Sequence, residues 1–411
     1  MSIYIKYKLF FHNISYLAIV KVFMLVLPLL SYPYLIRVVG ADNFGLLVYV
    51  LSIISFFRIF VMFGYELSGV KSVAQSDGDK HKLSMIISSI LLVQLFLYFI
   101  GFLVLFFLIE NFSQFKDNEE IFYYAYLLPL CDILSLIWFF QGIEKMKYIT
   151  VVKVFSGLVG LVFILLFIEE EGDYIYIPLF QSLSMMLGSV FSLYFIFKLE
   201  RVSFIIPSVS DSINCFFESL PFFLSRASGS FNSQVNTILL ANFVGLSSVA
   251  YYDLAQKIIE VFKMPNSIIN GVVYPHIAKT KDVDFAKKIL YIRILIASTL
   301  IVIVNLFSEY FVLFLAGDKM LPTLDIIPIF SSMVLLTSIT YYVGATLLVS
   351  FGYENKFNIS VGYSTILYLF LLFVLYVSSS ISIYNVIYVM LAAEIYVAVY
   401  RVWYCKLHKI L

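Results

Sequence analysis

The 411-residue chain is 62% hydrophobic and 13% charged, with 27 basic and 26 acidic residues, a net charge of +1 and a mean hydropathy of +0.97. Soluble domains are about half apolar and about a quarter charged, so too little polar surface exists here to cover a water-borne particle. The net charge itself says nothing about partners, because the charges are segregated rather than absent; no nucleic-acid partner is expected, and bilayer is the natural solvent.

Apolar runs of roughly 20 residues cross a hydrocarbon core of about 30 Å as helices. Lys6 and Lys8 precede the first, 13–36, which outruns a signal-peptide core without a small-residue cleavage site and is read as an uncleaved span. A short loop with Arg37 leads to 43–65, and a basic stretch (Lys71, Lys80, Lys82) leads to 83–109. The next loop is acidic, with Glu110, Asp117, Glu119 and Glu120 around Lys116, and 121–141 follows. Lys145 and Lys147 precede 149–168, Glu169, Glu170, Glu171 and Asp173 precede 175–197, and Lys198 and Arg201 come next. The second half reads 214–241, 249–275, a basic stretch (Lys279, Lys281, Lys287, Lys288), 288–308, Lys319, 323–350, Lys356, 358–378 and 383–404, with Arg401, Lys406 and Lys409 at the end.

These twelve spans put 17 loop or terminal cations on the side of the N-terminus and three (Arg37, Lys116, Lys319) on the other. The positive-inside rule makes the first side cytoplasmic, and an even number of spans puts both termini there. His12, His81, His276 and His408 fall on that same side, scattered between loops, without metal-ligand spacing. Cys131 and Cys215 lie in or beside apolar runs and Cys405 in the C-terminal tail; with none in an outward loop, no disulfide is expected.

The chain repeats itself. Val39-Gly40 before Phe44-Gly45-Leu46 matches Val244-Gly245 before Val249-Ala250-Tyr251, a shift of 244 − 39 = 205. A looser match pairs Gly142-Ile143-Glu144 with Gly352-Tyr353-Glu354, a shift of 352 − 142 = 210. Both fall at equivalent topological places, which favours two six-helix units, 1–205 and 206–411, related by an axis along the membrane normal.

Seven cations remain inside spans: Lys21, Arg58, Lys153, Arg226, Lys257, Lys263 and Arg293. Intramembrane charge is costly and usually faces a cavity or a partner. Lys153 and Arg293 lie near the cytoplasmic face, where snorkelling explains them. The shift of 205 superimposes Lys21 on Arg226 and Arg58 on Lys263, so these four, with Lys257, are the expected lining of a cationic cleft between the halves. Phosphate oxygens suit such a cleft. Against this, Lys21 is also within snorkelling reach, and Asp253, Lys257, Glu260 and Lys263 are spaced so that their helix neutralises itself. Arg226 stands out, mid-span with no neighbouring acid in the sequence. Asp132 and Glu394, also mid-span, either carry a coupling proton or pair with a cation; Asp253 and Glu260 complete the candidate ion-coupling set.

No Gly-Lys dipeptide, HExxH or Gly-x-Ser-x-Gly occurs, so there is no P-loop, zinc-protease helix or nucleophile elbow, and neither a cofactor nor an enzymatic reaction is expected.

Pro33 to Gly45 (PYLIRVVGADNFG) resembles the loop after the first helix in bacterial O-antigen and polysaccharide flippases, the Wzx-type branch of the multidrug/oligosaccharidyl-lipid/polysaccharide (MOP) exporter superfamily. Trp138 to Lys147 (WFFQGIEKMK) is similar to that branch's signature between helices four and five. The resemblance implies an all-α integral membrane protein of about 12 helices, MATE-like and V-shaped, with two pseudo-symmetric six-helix lobes around a cationic cavity. It implies movement of undecaprenyl-pyrophosphate-linked repeat units from the inner to the outer leaflet of the inner membrane by alternating access, coupled to H+ or Na+. Besides membrane lipids, an O-antigen polymerase and a chain-length regulator are candidate partners. Two other readings stand beside it. A multidrug antiporter of the same superfamily would favour acidic cavity residues, and a membrane-embedded polymerase would carry a long outward loop with arginines.

Overall fold

Lipid offers no hydrogen bonds to the backbone, so apolar runs of this length satisfy their own N–H and C=O groups as helices. The computed structural model describes residues 3–76 and 78–411, and side chains outside 3–14, 17–18, 225, 228–233, 271–272 and 275. Lys6, Lys8 and His12 therefore lie outside the described side chains. No strand occurs among the described residues.

Two compact units part inside one helix, at Ile238 and Leu239. The first contains α1 (Ile3–Met62), α2 (Tyr65–Ala74), α3 (Lys80–Asn111), α4 (Ser113–Lys116), α5 (Glu119–Ala125), α6 (Leu127–Ser135), α7 (Ile137–Gly142), α8 (Met146–Phe167), α9 (Ile177–Tyr194) and most of α10 (Val209–Phe243). The second contains the end of α10, then α11 (Leu246–Thr280), α12 (Val283–Leu306), α13 (Ser308–Ala316), α14 (Ile327–Tyr341), α15 (Glu354–Val377) and α16 (Ile383–Leu407).

Among the described residues, nine helical runs are long and apolar enough to cross a membrane. One of them, Ile19–Ala74, is 56 residues long and holds most of the first expected span and all of the second, because α1 breaks only at Gly40 (φ 78°, ψ 170°). The expected seventh and eighth spans are the 35-residue helices α10 and α11. The architecture is that of an all-α integral membrane protein, consistent with about twelve spans. The fourth span is not one helix: it is α5, α6 and α7, with Leu136 in the left-handed region (φ 46°) between the last two.

Backbone geometry supports the repeat and corrects its second match. Gly245 (φ 128°, ψ 162°) opens α11 in the same positive-φ, extended conformation as Gly40, which a side chain would oppose. After α7, Glu144 N–H donates to Gln141 O (3.1 Å) and Lys145 N–H to Phe140 O (2.9 Å). In the second unit, Gly352 N–H donates to Val349 O (3.1 Å) and Tyr353 N–H to Leu348 O (2.8 Å). These are the same helix-ending turn, so the true shift here is 353 − 145 = 208. Gly352 matches Glu144 (φ 57°), not Gly142.

Small polar residues let helices of unit 1 approach closely. Cys131 Sγ–H donates to Ser182 O (3.2 Å), Ser189 Oγ–H to Cys131 O (3.2 Å), and Ser192 Oγ–H to Ser135 O, stitching α9 along α6. The WFFQG segment is packing rather than chemistry: Trp138, Phe139 and Phe140 are all buried in the core beneath α2 and α3.

Loops expected to share a side do meet. Glu200, buried, pairs with Lys145 and lies 3.9 Å from Lys80. At the opposite end, Asn43 Nδ2–H donates to Glu171 Oε1 (3.4 Å), joining the first and third loops of that side.

Candidate functional site

A cavity of about 300 Å³ opens inside unit 1. Arg58 enters it from the second arm of α1, Glu66 from the first turn of α2, Asp132 from α6, Lys153 from α8, and Arg226 and Gln234 from α10. Among the described residues, three cations thus face two carboxylates within one membrane unit.

Arg58 is engaged at two points: its Nε–H donates to Asp132 Oδ2 (2.6 Å) and an Nη2–H to Asp132 Oδ1 (3.0 Å). Such paired geometry is the strong form of a guanidinium–carboxylate contact. Of the two readings open for Asp132, the cation partner is the one seen here. Arg226 Nη2 lies 2.7 Å from Glu66 Oε2. No acid neighbours Arg226 in the sequence; its partner comes from another helix, 160 residues earlier (226 − 66).

Lys153 is a correction. Its distance from the loop suggests snorkelling, yet its half-buried side chain lines the cavity. Unlike Arg58 and Arg226, it forms no ion pair with a described carboxylate. Lys21, by contrast, is exposed on α1 and does not line this cavity.

Unit 2 holds the remaining candidates. On α11, Lys257 Nζ is 3.8 Å from Glu260 Oε2, and Gln256 Nε2–H donates to Glu260 Oε1 (3.1 Å), so the helix does neutralise itself there. Asp253 and Lys263 are half-buried on the same helix, on either side of that pair. Glu394 of α16 accepts from Thr340 Oγ1–H. With the shift of 208, Asp132 falls on Thr340 (132 + 208 = 340), the residue that bonds Glu394 in unit 2.

Two further arginines lie deeper than their place along the chain suggests. Arg401, counted with the terminal loop, is 5% exposed; its Nε–H donates to Ser360 Oγ (2.8 Å) and an Nη1–H to Thr340 O (2.8 Å). Arg293, assigned to snorkelling, is 1% exposed and donates to Asn266 O (2.7 Å) and Ser338 O (3.0 Å), over the Tyr342 ring at 5.0 Å. Carbonyls, hydroxyls and rings hold both charges, which makes them scaffold.

Residues 10–281 match the family model described as "Polysaccharide biosynthesis protein". The chain is 23% identical over 352 residues to a protein of Escherichia coli (strain K12) named "Putative O-antigen transporter", covering 84% of this chain and 85% of that one. A protein of the same name from Shigella dysenteriae is 23% identical over 266 residues, 64% of this chain and 66% of the relative. Among solved structures, the lipid II flippase MurJ in an inward closed conformation superimposes with a TM-score of 0.74 at 14% identity, over 96% of this chain and 87% of that one. A multidrug resistance MATE family transporter of the MOP superfamily, inward-facing, gives 0.72 at 15% identity, over 97% and 98%. At these identities the likeness is one of fold. The family model spans well over half of the sequence, and the chain belongs to the polysaccharide biosynthesis protein family.

Proposed function

We propose that this chain is a flippase that moves undecaprenyl-pyrophosphate-linked O-antigen repeat units from the cytoplasmic to the periplasmic leaflet of the inner membrane by alternating access, with both termini cytoplasmic. One observation carries the reading: a cavity within a membrane unit lined, among the described residues, by Arg58, Lys153 and Arg226 against Asp132 and Glu66. Charge is expensive in a bilayer and accumulates where an ion or substrate passes. An excess of cations suits a diphosphate, whose oxygens accept charge-assisted hydrogen bonds from Arg and Lys.

Membership of a polysaccharide biosynthesis family supports the sugar cargo, and the names of the curated relatives support its attachment to O-antigen assembly. The chain acts as a transporter and not as an enzyme. Lys21 and Lys263 join the path by the symmetry of the repeat, Lys257 joins it as a further intramembrane cation on the helix of Lys263, and the halves 1–205 and 206–411 are its duplicated lobes. Without a P-loop, an H+ or Na+ gradient supplies the energy, with Asp132, Asp253, Glu260 and Glu394 as the carboxylates available to it. A polymerase and a chain-length regulator take over the unit outside.

Complementation tests this. In a strain that lacks surface O-antigen through loss of this protein, the wild-type chain restores it, and Arg226→Ala at normal membrane level does not. Full restoration by Arg226→Ala would remove that residue from the path.

A further inference from the structure

The three cavity cations are not equivalent. Arg58 is committed: two hydrogen bonds hold it to Asp132, whose side chain is only 12% exposed. Lys153 has no ion pair with a described carboxylate. Arg226 lies between these extremes, paired to Glu66 with the two side chains 52% and 41% exposed. Ion pairs this exposed contribute little to stability, and a phosphate, with more than one negative charge and several acceptor oxygens, competes with a single carboxylate for a guanidinium.

Arg226 does not need Glu66 to stay where it is. The chain turns from α1 into α2 at Gly64 (φ +77°), and a Cβ there would stand 2.6 Å from Phe223 N, so the backbone of α10 lies directly against this turn. Phe63 stacks on Phe216 and Phe223 with ring centroids 4.4 and 4.7 Å apart, and Ser68 Oγ lies 2.8 Å from Ser219 Oγ. Arg226 is one helical turn beyond Phe223 on a helix already docked at several points. Glu66 is therefore free to serve another purpose.

We infer that Glu66 is an internal competitor for Arg226, occupying the guanidinium when no ligand is present and limiting how tightly the cavity holds a pyrophosphate group. The inference rests on the flippase reading and deepens it. An arriving pyrophosphate takes Lys153 and Arg226, and Glu66 turns into water; when the ligand leaves, Glu66 returns. A transport site must bind strongly enough to load and weakly enough to unload, and the competing carboxylate sets that balance.

The test is binding of farnesyl pyrophosphate, with farnesol as control, to the full chain in detergent by calorimetry. The wild type binds the pyrophosphate in preference to farnesol. Glu66→Gln binds it about three- to tenfold tighter, the size expected for removing one nearby like charge at a partly wet site. Lys153→Ala and Arg226→Gln bind more weakly, and Glu66→Gln brings no gain in the Arg226→Gln background. Should Glu66→Gln fail to fold, Glu66→Ser carries the same comparison. Unchanged or weaker binding by the Glu66 variant, with the wild type binding normally, overturns the inference alone, as does a gain that persists without Arg226. A wild type indifferent to the pyrophosphate overturns the flippase reading, and the inference with it.

Discussion

Arg58 and Asp132, 74 residues apart in sequence, meet through two hydrogen bonds of 2.6 and 3.0 Å at the wall of the unit 1 cavity. The pair joins the second arm of α1 to α6 and gives one membrane charge a compensating partner.

Removing one partner leaves the other charge uncompensated. Asp132→Ala is expected to lower stability by about 1–3 kcal/mol, short of the fully buried case because Arg58 is partly exposed. The double variant Arg58→Met with Asp132→Leu recovers most of that loss but transports nothing. Thermal unfolding in detergent, alongside surface O-antigen, checks both halves.

Lys153 separates charge from scaffold. Lys153→Ala is expected to lower surface O-antigen at least ~10-fold, about 1.4 kcal/mol of lost interaction, at unchanged membrane level. Lys153→Arg, which keeps a phosphate-binding cation, retains most activity. Immunoblots of surface polysaccharide measure it, and equal activity of both variants would make Lys153 a bystander.

Arg401 holds unit 2 together. An ideal Cβ on Gly344 would lie 2.3 Å from Arg401 Nη1, so the glycine makes room for the guanidinium. Arg401→Lys cannot reach Ser360 Oγ and Thr340 O in the same geometry, and is expected to cost about 2 kcal/mol. Gly344→Ala should destabilise as well. Unfolding midpoints report both, and a neutral Arg401→Lys would contradict the scaffold role.

Gly40 and Gly245 occupy matching positions of the repeat with positive φ. Alanine at either is expected to cost about 1–2 kcal/mol. Gly362→Ala, mid-helix with open space around a new Cβ, should be neutral or stabilising. The same unfolding measurement checks all three.

Much of the fold was legible because the bilayer allows so few solutions: long apolar runs, their ends marked by charge, and a glycine break repeated after 205 residues. The charged lining of the cavity is legible only where a charge lies far from any loop, as with Arg58, Asp132 and Arg226. Lys153 and Arg293 were set aside by their distance along the chain, yet their depth depends on how α8 and α12 pack. Glu66 is not legible in the sequence for the same reason: it follows a left-handed turn at Gly64 that folds α2 back to the cavity. Arg401 looked terminal because nothing in its neighbours announces Ser360 or Thr340 as partners. The second repeat match slipped by two residues because a glycine was matched to a glycine, whereas the shared feature is a turn that Glu144 also adopts.

Leaflet accessibility of the lipid-linked single repeat unit in a deletion strain bears most directly on the proposed transport. Units that accumulate on the cytoplasmic leaflet, protected from a reagent confined to the periplasm, are the expected result. Unpolymerised units already exposed on the periplasmic side would contradict it.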